Sequence, residues 1–143
     1  MGVIMYLLKP YAGWCQIHIG EFHGNASYLT DVPMQFLDSF ELFSNNYATP
    51  VLSFDEEGSD FIIIVDEYTT YVISERATTK LYKTEVDRRD FIESIIKDIE
   101  DNFEEFVRWY ISDPDTELEE EDLRRRLLKA KIESIKLKWN RYN

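Results

Sequence analysis

The feature that most constrains this chain is a run of five apolar residues, Phe61-Ile62-Ile63-Ile64-Val65, bounded by acids on both sides. Neighbouring residues of a strand point to opposite faces, so such a run is apolar on both pleat faces and predicts a central strand covered on both sides, by helices or a second layer. Its neighbours supply partners. Asp55-Glu56-Glu57-Gly58-Ser59 joins Pro50–Phe54 to Phe61–Val65 as a hairpin, and a second hairpin joins Thr69–Ser74 to Thr79–Thr84. Upstream, residues 3–8 and 14–22 read as two arms reversed by Lys9-Pro10-Tyr11-Ala12-Gly13, with Cys15, Ile17 and Ile19 on one face and Trp14, Gln16 and His18 on the other. His23-Gly24-Asn25 is expected to break that second strand.

Helical spacing appears in three places. Asp31 can cap a short helix carrying Val32, Phe36, Leu37, Phe40 and Phe43, which Asn45-Asn46 ends. Asp87 can cap a longer one in which Phe91, Ile92, Ile95, Ile96, Ile99, Phe103, Phe106, Val107 and Tyr110 form a single stripe up to Asp113-Pro114. Thr116-Glu117-Leu118-Glu119 has capping-box spacing and opens a last helix, which runs to about Trp139 through Leu123, Leu127, Leu128, Ile132 and Ile135. Trp139 and Tyr142 point to its docking on the body. The expected fold class is α+β, one domain over 1–143. Residues 1–86 would form an antiparallel sheet of about five to six strands with a short helix, and 87–143 a helical part. With 143 residues, 44% of them apolar, the chain can bury a core without disulfides or a structural metal.

Charge narrows the partners. Twenty-eight acids against 16 bases give a net −12, which argues against general affinity for nucleic acid or anionic lipid and for a cationic partner. From Leu123 to Asn143 eight bases face Glu133 alone, a net +7 that leaves −19 on the rest. Residues 113–122 hold seven acids and no base, so the last helix is acidic at its start and basic at its end, as its macrodipole favours. The basic stretch is either a face that neutralises the acidic body or a contact for RNA, membrane or another subunit. The acids crowd two places, the tip Asp55, Glu56, Glu57 and Asp60, and the stretch Glu100, Asp101, Glu104 and Glu105. The tip lacks the spacing of a calcium loop. One cysteine, Cys15, excludes an intrachain disulfide and fits a reducing cytoplasm. Met1 to Leu8 is apolar without a basic leader or a cleavage pattern and reads as a strand. Gly2 lacks the Ser or Thr that myristoylation wants at the sixth position, and no apolar run is long enough for a membrane helix.

Catalytic patterns are missing. His18 and His23, the two histidines, fall on opposite faces of a regular strand and would not share a metal, and Cys15 sits with the isoleucines as an inert thiol. No phosphate-cradling glycine loop, dinucleotide fingerprint, nucleophile elbow or zincin helix occurs, and nothing singles out a carboxylate pair among 28 acids. The expectation is a protein with no catalytic residues, cofactor or metal.

Trp14-Cys15-Gln16-Ile17-His18-Ile19-Gly20-Glu21-Phe22, followed by Ala26-Ser27-Tyr28-Leu29-Thr30-Asp31-Val32-Pro33, the helix Phe36–Phe43 and the acidic hairpin Phe54-Asp55-Glu56-Glu57-Gly58, resembles small immunity proteins of bacterial polymorphic-toxin loci, including contact-dependent growth inhibition systems. The resemblance covers about the first half of the chain and rests on residue types. It implies a cytoplasmic α+β protein that binds and blocks a cognate toxin domain, often a nuclease, and it carries over no site. Nuclease domains are cationic because they hold phosphates, so an acidic face would meet them, with aromatic hot spots rimmed by acids. The candidates are Tyr68 and Tyr71 beside Asp66 and Glu67, then the tip residues Asp55, Glu56, Glu57 and Asp60. The alternative is an adaptor or assembly protein acting through its basic C-terminal helix.

Overall fold

Gly20, not His23-Gly24-Asn25, reverses the chain in its first sheet. In a computed structural model describing residues 9–11, 14–28, 30–109 and 117–142, the elements run β1 (Lys9–Tyr11), β2 (Trp14–Ile19), β3 (Phe22–Ser27), α1 (Val32–Asn46), β4 (Val51–Asp55), β5 (Asp60–Val65), β6 (Thr70–Glu75), β7 (Thr79–Thr84), α2 (Arg88–Asp101), α3 (Phe103–Val107) and α4 (Glu117–Tyr142). The class is α+β with every strand pairing antiparallel. The strands divide into two sheets, β1-β2-β3 and β4-β5-β6-β7, where the sequence reading placed them in one.

β2 and β3 are joined by Gly20-Glu21, with Gly20 at φ +57°, the left-handed conformation that glycine supplies most cheaply in a two-residue hairpin. The expected strand break therefore lies inside β3, paired from Ile19↔Phe22 to Trp14↔Ser27. Gly24 serves packing instead. A Cβ there would stand 2.8 Å from ring atoms of both Phe22 and Phe61, so the missing side chain lets the two sheets meet at those rings. The segment read as a turn, Lys9-Pro10-Tyr11, is a short edge strand, a place where proline is tolerated because its missing N–H faces away from the ladder. The strand expected over residues 3–8 lies outside the described residues.

The two downstream hairpins form as expected, with β5 interior between β4 and β6. Phe61, Ile63 and Val65 are fully buried, joined by Leu52, Phe54 and Val72 from the flanking strands. Ile62 and Ile64 are only half-buried on the opposite face. The five-residue run is thus covered on one side, and no element among the described residues lies over the other.

α1 starts at Asp31, whose carboxylate accepts from the Met34 N–H at 3.5 Å, and buries Phe36, Leu37, Phe40 and Phe43. It ends at Tyr47 in the left-handed region, whose N–H donates to the Phe43 carbonyl. α2 starts at Asp87, which accepts from the Asp90 N–H at 2.8 Å. The stripe expected to run unbroken past residue 107 is interrupted at Asn102. Its side-chain amide donates to the Asp98 carbonyl at 2.9 Å, with backbone at φ −118° and ψ 31°, and the chain restarts as α3. The stop at Asp113-Pro114 and the Thr116 end of the capping box lie outside the described residues. α4 buries Leu128, Ile132 and Ile135 and lies along α1, and the Trp139 ring packs 6.4 Å from Phe43. Leu123 and Leu127, placed on the same stripe, are 64% and 47% exposed, so the buried seam is narrower than the sequence implies.

Gly24→Ala should lower stability by about 1–3 kcal/mol in a denaturant melt, because the methyl must displace two buried rings. Gly58→Ala meets nothing within 4 Å and carries only the strain of its φ of +129°.

Candidate functional site

The uncovered face of β4-β5-β6-β7 is organised in rows by the register. Val51, Ile64, Tyr71 and Lys83 lie side by side, then Ser53, Ile62, Ile73 and Leu81, then Asp55, Asp60, Glu75 and Thr79. Val51 is 58% and Leu81 62% exposed, and Ile62, Ile64, Tyr71 and Ile73 between them are half-buried. Single exposed apolar residues are ordinary, but six contiguous ones on one flat face mark a surface that meets something else.

Acids close both ends of the face. At one end Asp55, Asp60 and Glu75 lie directly opposite one another on adjacent strands, an arrangement of like charges that works against the sheet. At the other end the β5–β6 turn carries Asp66, Glu67 and Tyr68, the last 73% exposed. That turn is tied down: the Asp66 N–H donates to the Thr69 carbonyl at 2.9 Å, and the Arg88 N–H donates to the Glu67 carbonyl at 3.0 Å. Of the residues singled out in the sequence, Asp55, Asp60 and Tyr71 share the open face, and Asp66, Glu67 and Tyr68 stand at its far end. Glu57 forms the β4–β5 tip at φ 59°.

Glu56 is directed elsewhere. One carboxylate oxygen accepts from Arg76 Nη2 at 2.9 Å and from the Asn25 N–H at 3.2 Å, and the other accepts from Ser59 Oγ at 2.9 Å and Arg76 Nε at 3.2 Å. Arg76 Nη2 also donates to the His23 carbonyl at 2.7 Å, so this pair braces the second sheet against the first. Burial pushes the Glu56 carboxyl up, but the hydrogen bonds from Arg76, Asn25 and Ser59 outweigh it and hold the group below its usual range. The sequence reading missed Val51, Ile62, Ile64, Ile73, Leu81 and Glu75 as surface. The available signal was the parity shared with Ser53, Asp55, Asp60 and Lys83, which sets these apolar residues on the polar side of the sheet.

The basic end of α4 faces the body. Arg124 donates to both oxygens of Asp31 at 2.7 and 2.8 Å and to the Phe106 carbonyl at 3.0 Å. Arg125 pairs with Glu104 at 2.7 Å, Lys131 with Asp38 at 2.6 Å and Lys136 with Glu100 at 2.8 Å, and Lys138 reaches Asn45. Two members of the acidic stretch on α2 and α3 are thereby occupied, and Asp101 pairs with Lys97 at 2.7 Å. Cys15 is fully buried, its thiol 3.8 Å from the Gln16 carbonyl. His18 and His23, expected on opposite faces, are brought directly opposite by the Gly20 turn, their ring centroids 3.9 Å apart. Among the described residues no cluster of three or more His, Cys, Asp or Glu could hold a metal, and no helix is long and apolar enough to cross a membrane.

Glu56→Gln should cost about 1–2 kcal/mol at pH 7, a modest figure because Arg76 is partly exposed. A carboxylate whose folded pKa is depressed contributes fully above its unfolded value, 4.5, and loses that contribution as pH falls through the lower folded value. The gap between wild type and variant in urea melts should therefore be full at pH 7 and close below pH 4.5. The chain matches no protein-family model, no curated protein and no solved structure.

Proposed function

We propose that this chain is a non-enzymatic immunity protein that binds and neutralises a cationic toxin domain, a nuclease by the resemblance of its first half, in the bacterial cytoplasm. The observation that carries the reading is the open face of β4-β5-β6-β7, apolar at its centre and acidic at both ends. Five or six residues per strand and four strands give that face on the order of 300–400 Å². This is about half of the ~800 Å² each partner contributes to a standard interface, and the acidic turns at either end supply the rest. Tyr71 within the face and Tyr68 at its edge are the aromatic anchors. Asp55, Asp60, Glu75, Asp66 and Glu67 form a rim that steers and orients a basic partner more than it adds affinity. A second copy of this chain fits less well, since acids at both ends would meet acids in either orientation. The adaptor reading loses support because Arg124, Arg125, Lys131 and Lys136 are paired with the body.

Capture from a lysate of the source organism at low and high salt, followed by co-expression with the captured protein's C-terminal domain, tests this. The expected partner is one large secreted or surface protein whose isolated C-terminal domain is toxic and is neutralised by this chain. Tyr71→Ala should weaken that complex at least tenfold at any salt, and Asp60→Asn with Glu75→Gln should slow association and flatten its salt dependence. A partner indifferent to these substitutions but lost on reversing the exposed charge of Lys129 on α4 would overturn the proposal.

A further inference from the structure

The two edges of β4-β5-β6-β7 end differently. At β4 the Ser53 N–H points away from β5 and donates to Gln35 Oε1 of α1 at 2.8 Å, so the middle of that edge is occupied. At β7 no element among the described residues pairs with the outer side of the strand. The ladder fixes which backbone groups are open there. The Asp66 N–H donates to the Thr69 carbonyl, and alternation from that bond turns Thr70, Val72 and Ser74 toward β7, and Lys80, Tyr82 and Thr84 back toward β6. The N–H and C=O groups of Thr79, Leu81 and Lys83 therefore point outward, a row that another strand can pair with. A groove of about 660 Å³ lies beside this edge, lined by residues 80–85 with Gly20 and Glu21 of the β2–β3 turn. Leu81, at the middle of the row, is 62% exposed.

We propose that β7 pairs antiparallel with β7 of a second copy of this chain about a twofold axis at Leu81, edge to edge. The pairing joins two four-stranded sheets into one. Outward residues must face outward residues, and this axis sets Leu81 opposite Leu81 and Thr79 opposite Lys83 on either side of it. Each such pair exchanges two hydrogen bonds, about six in all. The lysines select this register. An axis at Lys80 or at Lys83 would set lysine directly against lysine, and one at Tyr82 would leave Thr79 facing Glu85, beyond the end of the strand. Charge fits the same register. The row Asp55, Asp60, Glu75 and Thr79 on the open face is continued by Lys83 of the second copy, two strand spacings or roughly 10 Å from Glu75. Each copy thus sets a base at the end of the other's row of like charges. One strand edge is a small contact, so the pair is reversible, and the occupied β4 edge stops assembly at two. Side chains of the open face stand away from the sheet plane and stay accessible, so the dimer does not depend on what that face binds.

Sedimentation equilibrium of the untagged full chain, from low to high micromolar concentration, tests the pairing. The expected result is a single monomer–dimer equilibrium with a dissociation constant in the micromolar range. Leu81→Pro removes the outward N–H at the axis and leaves the ladder to β6 whole, and Leu81→Lys sets two ammonium groups opposite each other. Each should weaken the dimer at least tenfold, with thermal melts of dilute protein close to those of the unsubstituted chain. Should Leu81→Pro fail to fold, Leu81→Lys decides alone. A chain that stays monomeric at the highest concentration, assembly beyond a dimer, or a dimer untouched by Leu81→Lys would overturn the proposal.

Discussion

A continuous run of buried aromatic rings ties the elements of this fold together. Phe22 of β3 lies 4.9 Å from Phe61 of β5, Phe61 lies 5.4 Å from Phe54 of β4, and Phe54 lies 5.1 Å from Phe36 of α1. Phe36 and Phe40 of α1 each lie 6.2 Å from Phe91 of α2. Pairs at these separations contribute about 0.5–1.5 kcal/mol each beyond the apolar area they bury. The chain of rings crosses both sheets and two helices, and it gathers all of them onto one side of β4-β5-β6-β7. The first sheet, α1 and α2 are thereby committed to the inner face, and among the described residues no element covers the outer face of the larger sheet.

Charge is divided along the same line. α4 brings four basic side chains, Arg124, Arg125, Lys131 and Lys136, onto acids of α1, α2 and α3 or of the α1 cap, and the Arg124–Asp31 pair is bidentate on the residue that caps α1. Neutralisation on the helical side leaves the acids at the two ends of the open sheet as the concentrated negative charge of the strand side. The Asp55, Asp60 and Glu75 row works against its own sheet, and a cationic partner seated on the face would relieve that repulsion.

Local signals in the sequence located most of the elements. Asp31 and Asp87 cap the helices they were expected to cap, and the hairpin arms around residues 55–60 and 75–79 pair as expected, because caps and turns are decided within a few residues. Several readings that depend on tertiary packing did not survive, although the interior place of β5 and the docking of Trp139 did. The sequence reading took His23-Gly24-Asn25 as the break of the second strand and passed over Gly20, four residues earlier. Gly20 makes the reversal, while Gly24 yields its side-chain space to Phe22 and Phe61, rings that come together only once both sheets exist. The misplaced turn is also what separated His18 from His23 on paper. For the candidate site, Tyr68, Tyr71, Asp55, Asp60, Asp66 and Glu67 were legible as an acidic, aromatic surface. The apolar centre was not, since periodicity shows that Ile62 and Ile64 share a face and cannot show whether anything covers it. Glu56 was indistinguishable from its neighbours until Arg76, twenty residues on, was seen beside it.

Hydroxyl-radical footprinting of the chain free and bound to its captured partner tests the central claim most directly, because oxidation reports side-chain exposure on both sides of the molecule at once. Bound partner should protect Tyr71, Ile62, Ile64, Ile73 and Leu81, with Tyr68 partly shielded at the rim, and should leave Leu123 and Leu127 on α4 as reactive as in the free chain. Protection confined to Leu123 and Leu127, with the sheet residues unchanged, would contradict the account and move the interaction to the last helix.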